Sequence, residues 1–179
     1  MQVRNSEGEA MAESAVSSLV EKLAAMLLAK GWRMATAESC TGGWIAKCCT
    51  DRAGSSAWFD RGLVTYSDAA KSDLLGVESN LLQQNGAVSE AVARQMTLGA
   101  RESAGVEAAV AVTGIAGPDG GSAAKPVGTV WFAWAVAGLQ TRTERKVFSG
   151  DRASIRFQTV QHALQGLCDQ LSANPEKQT

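Results

Sequence analysis

The chain has 179 residues, of which 45% are hydrophobic and 20% charged, the balance of an ordinary globular domain. A formal charge of −1, no Lys/Arg run and no apolar stretch of roughly 18–20 residues give no footprint for nucleic acid and no helical membrane span. A domain of this length buries roughly 70% of the surface its unfolded chain exposes, so it folds without a disulfide or metal. Cys40, Cys48, Cys49 and Cys168 form no CxxC pair, and His162 is the only histidine. That pattern predicts buried thiols in a reducing compartment and no metal site. The N-terminal stretch carries Glu7, Glu9 and Glu13 and lacks the basic start and apolar block of a secretory leader. The expected location is the cytoplasm.

Residues 1–13 read as a disordered tail, 14–173 as one domain and 174–179 as a frayed end. From Ser14 the residues Val16, Leu19, Val20, Leu23, Met26 and Leu27 recur at helical spacing, and Gly31 stands at the C-cap position. Arg33 to Glu38 reads as a strand, Ser39–Gly43 as a turn and Trp44 to Thr50 as a helix. A second strand is expected over Trp58 to Tyr66, followed by short helices over Asp68 to Leu75 and Ser79 to Gln84. A longer helix spans Val88 to Ser103, with Ser89 as its cap. Ala108 to Thr113 is almost wholly apolar, the mark of a central strand covered on both faces. Gly114 to Gly128 holds five glycines and two prolines and reads as a loop. Thr129 to Val136 and Thr141 to Phe148 form a hairpin. Asp151 then caps a last helix. Helices interleaved with strands predict a three-layer α/β/α domain with a mixed, mostly parallel sheet, and the hairpin makes one strand antiparallel.

Ligands in open α/β sheets bind beyond the carboxyl ends of the strands. Ser39 stands there, followed by Cys40, Thr41, Gly42 and Gly43, so its hydroxyl could sit beside a row of backbone N–H groups. Those groups favour a developing negative charge. The plainer alternative is that Ser39 or Thr41 only caps a helix. Lys71 lies just past the second strand, after Tyr66. Desolvation would lower its pKa enough for general-base work, whereas an exposed lysine would do nothing. His162, in the last helix, is unsuited to a Ser-His-Asp triad, so a serine hydrolase here requires a Ser–Lys pair. The glycine-rich run Thr113–Gly121 could approach a phosphate closely, or be a flexible surface loop. Arg152, at the start of the last helix, is either a phosphate ligand or a solvent arginine beside a cap.

The runs Thr36–Gly43, Val64–Ser67, Thr113–Gly121 and Lys125–Val130, in this order, resemble the CinA C-terminal domain family of bacterial nicotinamide-nucleotide amidohydrolases. The likeness extends from about residue 14 to about residue 171. It implies a five-stranded mixed sheet and hydrolysis of nicotinamide mononucleotide to nicotinate mononucleotide and ammonia, within pyridine nucleotide recycling, without metal or organic cofactor. Ser39 then matches the nucleophile, Lys71 the catalytic lysine and Tyr66 an active-site tyrosine. Thr113 matches a hydroxyl position, and Arg152 the arginine after Ser149-Gly150-Asp151. Thr41, Gly42, Gly43 and Gly114 complete the expected substrate-binding set, with the N–H groups of Cys40 to Gly43 facing the oxyanion. The short segment before the first helix reads as a stand-alone form of the family. The five tryptophans (Trp32, Trp44, Trp58, Trp131 and Trp134) and the family likeness predict a homodimer or higher homo-oligomer. The other class of function the sequence allows is a non-catalytic domain that binds nucleotide or a partner through the glycine-rich loops.

Overall fold

The computed structural model describes residues 6–174. Its first helix, α1, spans Ser6–Lys30. Residues 6–13 are thus helical rather than a disordered tail, and residues 1–5 and 175–179 lie outside the described part. The extension has a simple cause: adding a turn to an existing helix avoids the nucleation cost, and this segment is rich in Ala and Glu.

The chain continues through β1 (Met34–Glu38), α2 (Trp44–Asp51), β2 (Phe59–Val64), α3 (Asp68–Leu75), α4 (Ser79–Asn85) and α5 (Glu90–Ala104). It closes with β3 (Ala108–Gly114), β4 (Thr129–Val136), β5 (Arg142–Val147) and α6 (Arg152–Ala173). A single 3-10 turn at Ser55–Ala57, absent from the sequence-based expectation, precedes β2. The five strands form one sheet in the order β2-β1-β3-β4-β5. β1 pairs in parallel with β2 and β3, whereas β4 is antiparallel to both of its neighbours. Four strands therefore share one direction and only β4 opposes them. Counted by pairings rather than by strand direction, the sheet is evenly mixed. No described helix is long and apolar enough to cross a membrane.

Strand parity sorts the side chains into two cores. On β3, Ala108, Val110 and Val112 join the cluster made with α1, α2 and α6, while Ala109 and Ala111 join α3, α4 and α5 on the other face. On β4, Val130, Phe132, Trp134 and Val136 fill the α6 side. The Trp134 indole N–H donates to the Ala163 carbonyl at 2.9 Å. Gly166 makes this possible, because a Cβ there would run into the Trp134 ring. None of the five tryptophans is exposed: Trp58 and Trp134 are buried and the other three half-buried.

This topology places the site. Because β1, β2, β3 and β5 run the same way, their carboxyl ends lie along one edge of the sheet. β1 is flanked by β2 and β3, so the connections leaving its end and returning to its other side open a crevice between β1 and β3. α5 closes one wall. Its Gly99 faces the end of α3, where a Cβ would collide with the Leu75 carbonyl. Gly→Ala inside a helix ordinarily gains about 1 kcal/mol. Here overpacking dominates, and Gly99→Ala should lower the unfolding free energy by about 1–3 kcal/mol in urea titration. An unchanged or raised midpoint would contradict this packing.

Candidate active site

Ser39 follows directly on β1 and, by parity, turns to the face opposite Glu38. Its backbone N–H donates to the Val112 carbonyl at 3.1 Å, tying it to β3. On its side of the sheet stands Lys71, from the first turn of α3, only 1% exposed. Ser67 caps that helix, accepting from the Ala70 N–H at 3.1 Å, and so sets the angle at which Lys71 points inward. Lys71 Nζ is 3.3 Å from Ser39 Oγ. It also donates to the carbonyls of Thr65 at 3.0 Å and Tyr66 at 3.4 Å.

Burial holds the Lys71 pKa below its ordinary value, against the opposing influence of Asp68 and Cys40. A neutral amine has two N–H donors and one lone pair. The two carbonyls can take both donors, which leaves the lone pair for the Ser39 hydroxyl. Cys40, the next residue, is no rival nucleophile, since burial pushes its thiol up to about 12. His162 packs on Phe132 and lies 3.4 Å from Glu144 on β5, away from Ser39.

Ser39 and Lys71 open into a cavity of ≈ 220 Å³ at the β1–β3 crevice. Tyr66, Thr113, Gly114 and Arg152 also line it. Thr113 Oγ1 donates to the Ala87 carbonyl at 2.9 Å, holding the loop that forms one wall. Gly114 leaves room for β4: a Cβ would stand 2.7 Å from Val130 Cγ2. Arg152 Nη1 donates to the Gly117 carbonyl at 2.8 Å and Nη2 to Tyr66 Oη at 3.1 Å. Tyr66 is 61% exposed, a rim residue whose carbonyl, rather than its phenol, reaches Lys71. Asp151 caps α6 through the Ser154 N–H at 2.8 Å.

Thr41, Gly42 and Gly43 are arranged differently from the expectation. They do not line the cavity. Two of the four N–H groups in the row are occupied, and Glu38, fully buried, reaches under the start of α2 to take that of Gly43. Its carboxylate accepts from the N–H groups of Gly43 (3.1 Å), Ile45 (3.0 Å) and Ala46 (2.8 Å). It accepts as well from the hydroxyls of Thr41 (2.7 Å) and Thr36 (3.2 Å). The anion at the α2 N-terminus is therefore the protein's own carboxylate. The Gly42 N–H returns to the Ser39 carbonyl at 3.1 Å. Of the expected oxyanion donors, the N–H groups of Cys40 and Thr41 make no hydrogen bond with another described residue. Gly42 (φ +60°) and Gly43 (φ +93°) serve the turn itself, which needs left-handed backbone.

Several lining residues had no individual role in the sequence reading: Asp68, Ala87, Val88 and Ala116. Asp68 stood in view beside Lys71, but the small apolar residues carry no chemical signal. Arg156 was also missed, although its spacing of four from Arg152 places both on one helix face. A larger cavity, ≈ 470 Å³, lies between α1 and α2. It contains neither Ser39 nor Lys71, and its charges include the ion pairs Lys47–Asp51 and Arg52–Glu21.

The profile of the CinA C-terminal domain matches residues 16–171. The chain belongs to the CinA C-terminal domain family. Among members of that family, it is 56% identical over 155 residues to the nicotinamide-nucleotide amidohydrolase PncC of Enterobacter agglomerans, covering 87% of this chain and 94% of that one. With the protein of the same name from Escherichia coli K12 it shares 52% over 164 residues, 92% and 99% of the two chains. A CinA superfamily crystal structure from Klebsiella pneumoniae superposes with a TM-score of 0.85 at 42% identity, covering 89% of this chain and 99% of that one. Within this CinA domain, Glu38 is fully buried and accepts five hydrogen bonds. Glu38→Gln would set an amide NH₂ against backbone donors. The variant should lose at least about 2 kcal/mol of unfolding free energy. Wild-type stability of that variant would show that the clamp at α2 is dispensable.

Proposed function

We propose that the protein is an amidohydrolase converting nicotinamide mononucleotide to nicotinate mononucleotide and ammonia, with Ser39 as nucleophile and Lys71 as general base. The observation that carries this reading is the buried Lys71 amine 3.3 Å from the Ser39 hydroxyl, with two carbonyls taking its other donors. The names of its relatives in the same family support the substrate. A domain that only bound nucleotide would need the cavity but would have no use for a desolvated lysine.

In this mechanism Lys71 accepts the Ser39 proton as Oγ attacks the carboxamide carbon. The carbonyl oxygen becomes an oxyanion, met by the N–H of Cys40 and its neighbour in the turn. Collapse of the adduct expels ammonia, which takes the proton from Lys71 and leaves an acyl-serine. Lys71 then deprotonates a water. Its attack releases the nicotinate product and restores the Ser39 hydroxyl. The cavity is smaller than the roughly 300–1,000 Å³ of a pocket that engulfs a drug-sized ligand, so it suits the pyridine ring alone. The ribose phosphate then extends to the rim, where Arg152 and Tyr66 stand. Thr113 and Gly114 shape the wall against the ring. In this proposal the enzyme works in the cytoplasm, in pyridine nucleotide recycling, as a homodimer or higher homo-oligomer. Support for assembly comes from exposed Val64, Tyr66 and Leu74 along β2 and α3. Sedimentation of a single monomeric species at micromolar concentration would remove it.

Ammonia release from nicotinamide mononucleotide by the purified protein is the direct test, and Ser39→Ala should abolish it while leaving the fold intact. The pH profile has a definite sign. Lys71 must be neutral to act, and burial lowers its pKa. Activity should fall as pH drops through that pKa and level off above it. Lys71→Arg stays charged and should be inactive at every pH. A pH-independent rate, or an active Arg variant, would reassign the base. Arg152→Ala should raise KM for the mononucleotide by roughly 10- to 150-fold, the worth of a lost charge-assisted hydrogen bond of about 1.5–3 kcal/mol. Nicotinamide riboside, which has no phosphate, should be almost unaffected. Equal losses for both substrates would make Arg152 structural.

A further inference from the structure

The turn that carries Ser39 is gripped from two sides. Beneath α2 the Glu38 carboxylate takes the N–H groups of Gly43, Ile45 and Ala46. From α6, Arg156 takes the carbonyls: Nε donates to Cys40 O at 3.0 Å and Nη2 to Thr41 O at 2.8 Å. The same guanidinium lies 5.2 Å from the centre of the Trp44 ring, at the first residue of α2. A planar fork of donors matches two neighbouring acceptors at once, which a lysine ammonium on a flexible stem does less well.

These contacts constrain geometry near the nucleophile. A peptide unit is planar and trans, so its C=O and N–H point in opposite directions. Holding the Cys40 carbonyl toward α6 turns the Thr41 N–H away from α6. Holding the Thr41 carbonyl fixes the Gly42 N–H, which bonds back to the Ser39 carbonyl at 3.1 Å. A path of hydrogen bonds thus runs from Arg156, through the Thr41–Gly42 peptide unit, to the Ser39 carbonyl. The guanidinium touches neither Ser39 Oγ nor Lys71 Nζ.

We propose that Arg156 is a positioning residue of the hydrolytic centre, fixing the peptide units after Ser39 so that Oγ stays on Lys71 and the free turn N–H groups keep their aim. The inference rests on hydrolysis at Ser39. It assigns to α6 a second task, four residues from Arg152, in holding the nucleophile turn rather than the substrate. Its signature is a loss in kcat without a loss in substrate binding, because only the reacting geometry depends on it.

The test uses the full chain with Arg156→Ala and Arg156→Lys, read by two assays. One is ammonia release from nicotinamide mononucleotide; the other is the rate of covalent labelling of Ser39 by a fluorophosphonate, followed by mass spectrometry. Arg156→Ala should lose kcat by about 100-fold, the scale of an ångström-level misplacement or a lost oxyanion donor, with KM unchanged. Labelling should slow in parallel, and guanidinium ion in the buffer should restore part of the Ala variant's rate while leaving wild type unaffected. Arg156→Lys, which keeps the charge, the stem and a contact with Trp44, should fold normally and fall between the two. It decides the matter if circular dichroism shows the Ala variant unfolded. Wild-type kcat and labelling in a folded Arg156→Lys or Arg156→Ala would overturn the proposal, and so would a loss confined to KM. If wild type labels at Ser39 but releases no ammonia, the substrate assignment fails and the labelling rates still test Arg156. If wild-type Ser39 does not label at all, there is no nucleophile to position and the proposal falls.

Discussion

An amine sealed from water is the constraint around which the site is built. Lys71 is 1% exposed, and a charged ammonium there would lose most of its hydration. The surroundings answer with two backbone carbonyls and one hydroxyl, enough to satisfy a neutral amine without a carboxylate partner in contact. Three neighbouring elements serve that arrangement. Ser67 sets the start of α3, β2 delivers the carbonyls of Thr65 and Tyr66, and β1 delivers Ser39.

Adjacent residues of β1 divide the work by strand parity. Glu38 turns to the α2 face and closes the start of that helix with three backbone hydrogen bonds, while the hydroxyls of Thr36 and Thr41 hold its carboxylate. Ser39 turns to the α3 face and meets Lys71. The helix end that would otherwise attract an anionic ligand is filled from within, so in the proposed mechanism stabilisation of the reacting oxygen falls to the N–H groups of the turn itself. That division also explains how the strand ends in a sharp turn. Gly42 and Gly43 adopt left-handed backbone, and the chain folds back over the carboxylate that precedes it.

Small residues decide how closely the layers approach. Ala109 and Ala111 admit α5 to one face of β3, Gly99 admits the end of α3 to α5, and Gly166 admits Trp134 to α6. Gly114 adds to this by letting β4 lie close at the cavity wall.

Periodicity and capping made most of the elements legible: α3 and β4 have the expected bounds, Ser89 and Asp151 cap the helices they were assigned to, and Ala108–Thr113 is a strand buried on both faces. Those features are local, written in spacing along the chain. The extent of α1 was not, because its first turns are polar and continue a helix whose apolar spacing starts later. Ser39 and Lys71 stood out in the sequence by residue type and by the lack of a usable histidine, but nothing in the sequence brings their side chains to 3.3 Å. The parallel pairing of β1 and β2 and the cap at Ser67 do that. The cavity walls at Ala87, Val88 and Ala116 have no chemical signature at all. Glu38 and Arg156 are ordinary charged residues until the fold sets one beneath α2 and the other 115 residues along the chain against the Thr41 carbonyl. Local spacing decided which elements form and which residue types were available. Hydrogen bonds between distant segments, which depend on topology rather than on neighbours in sequence, decided which of those residues meet and which are held apart.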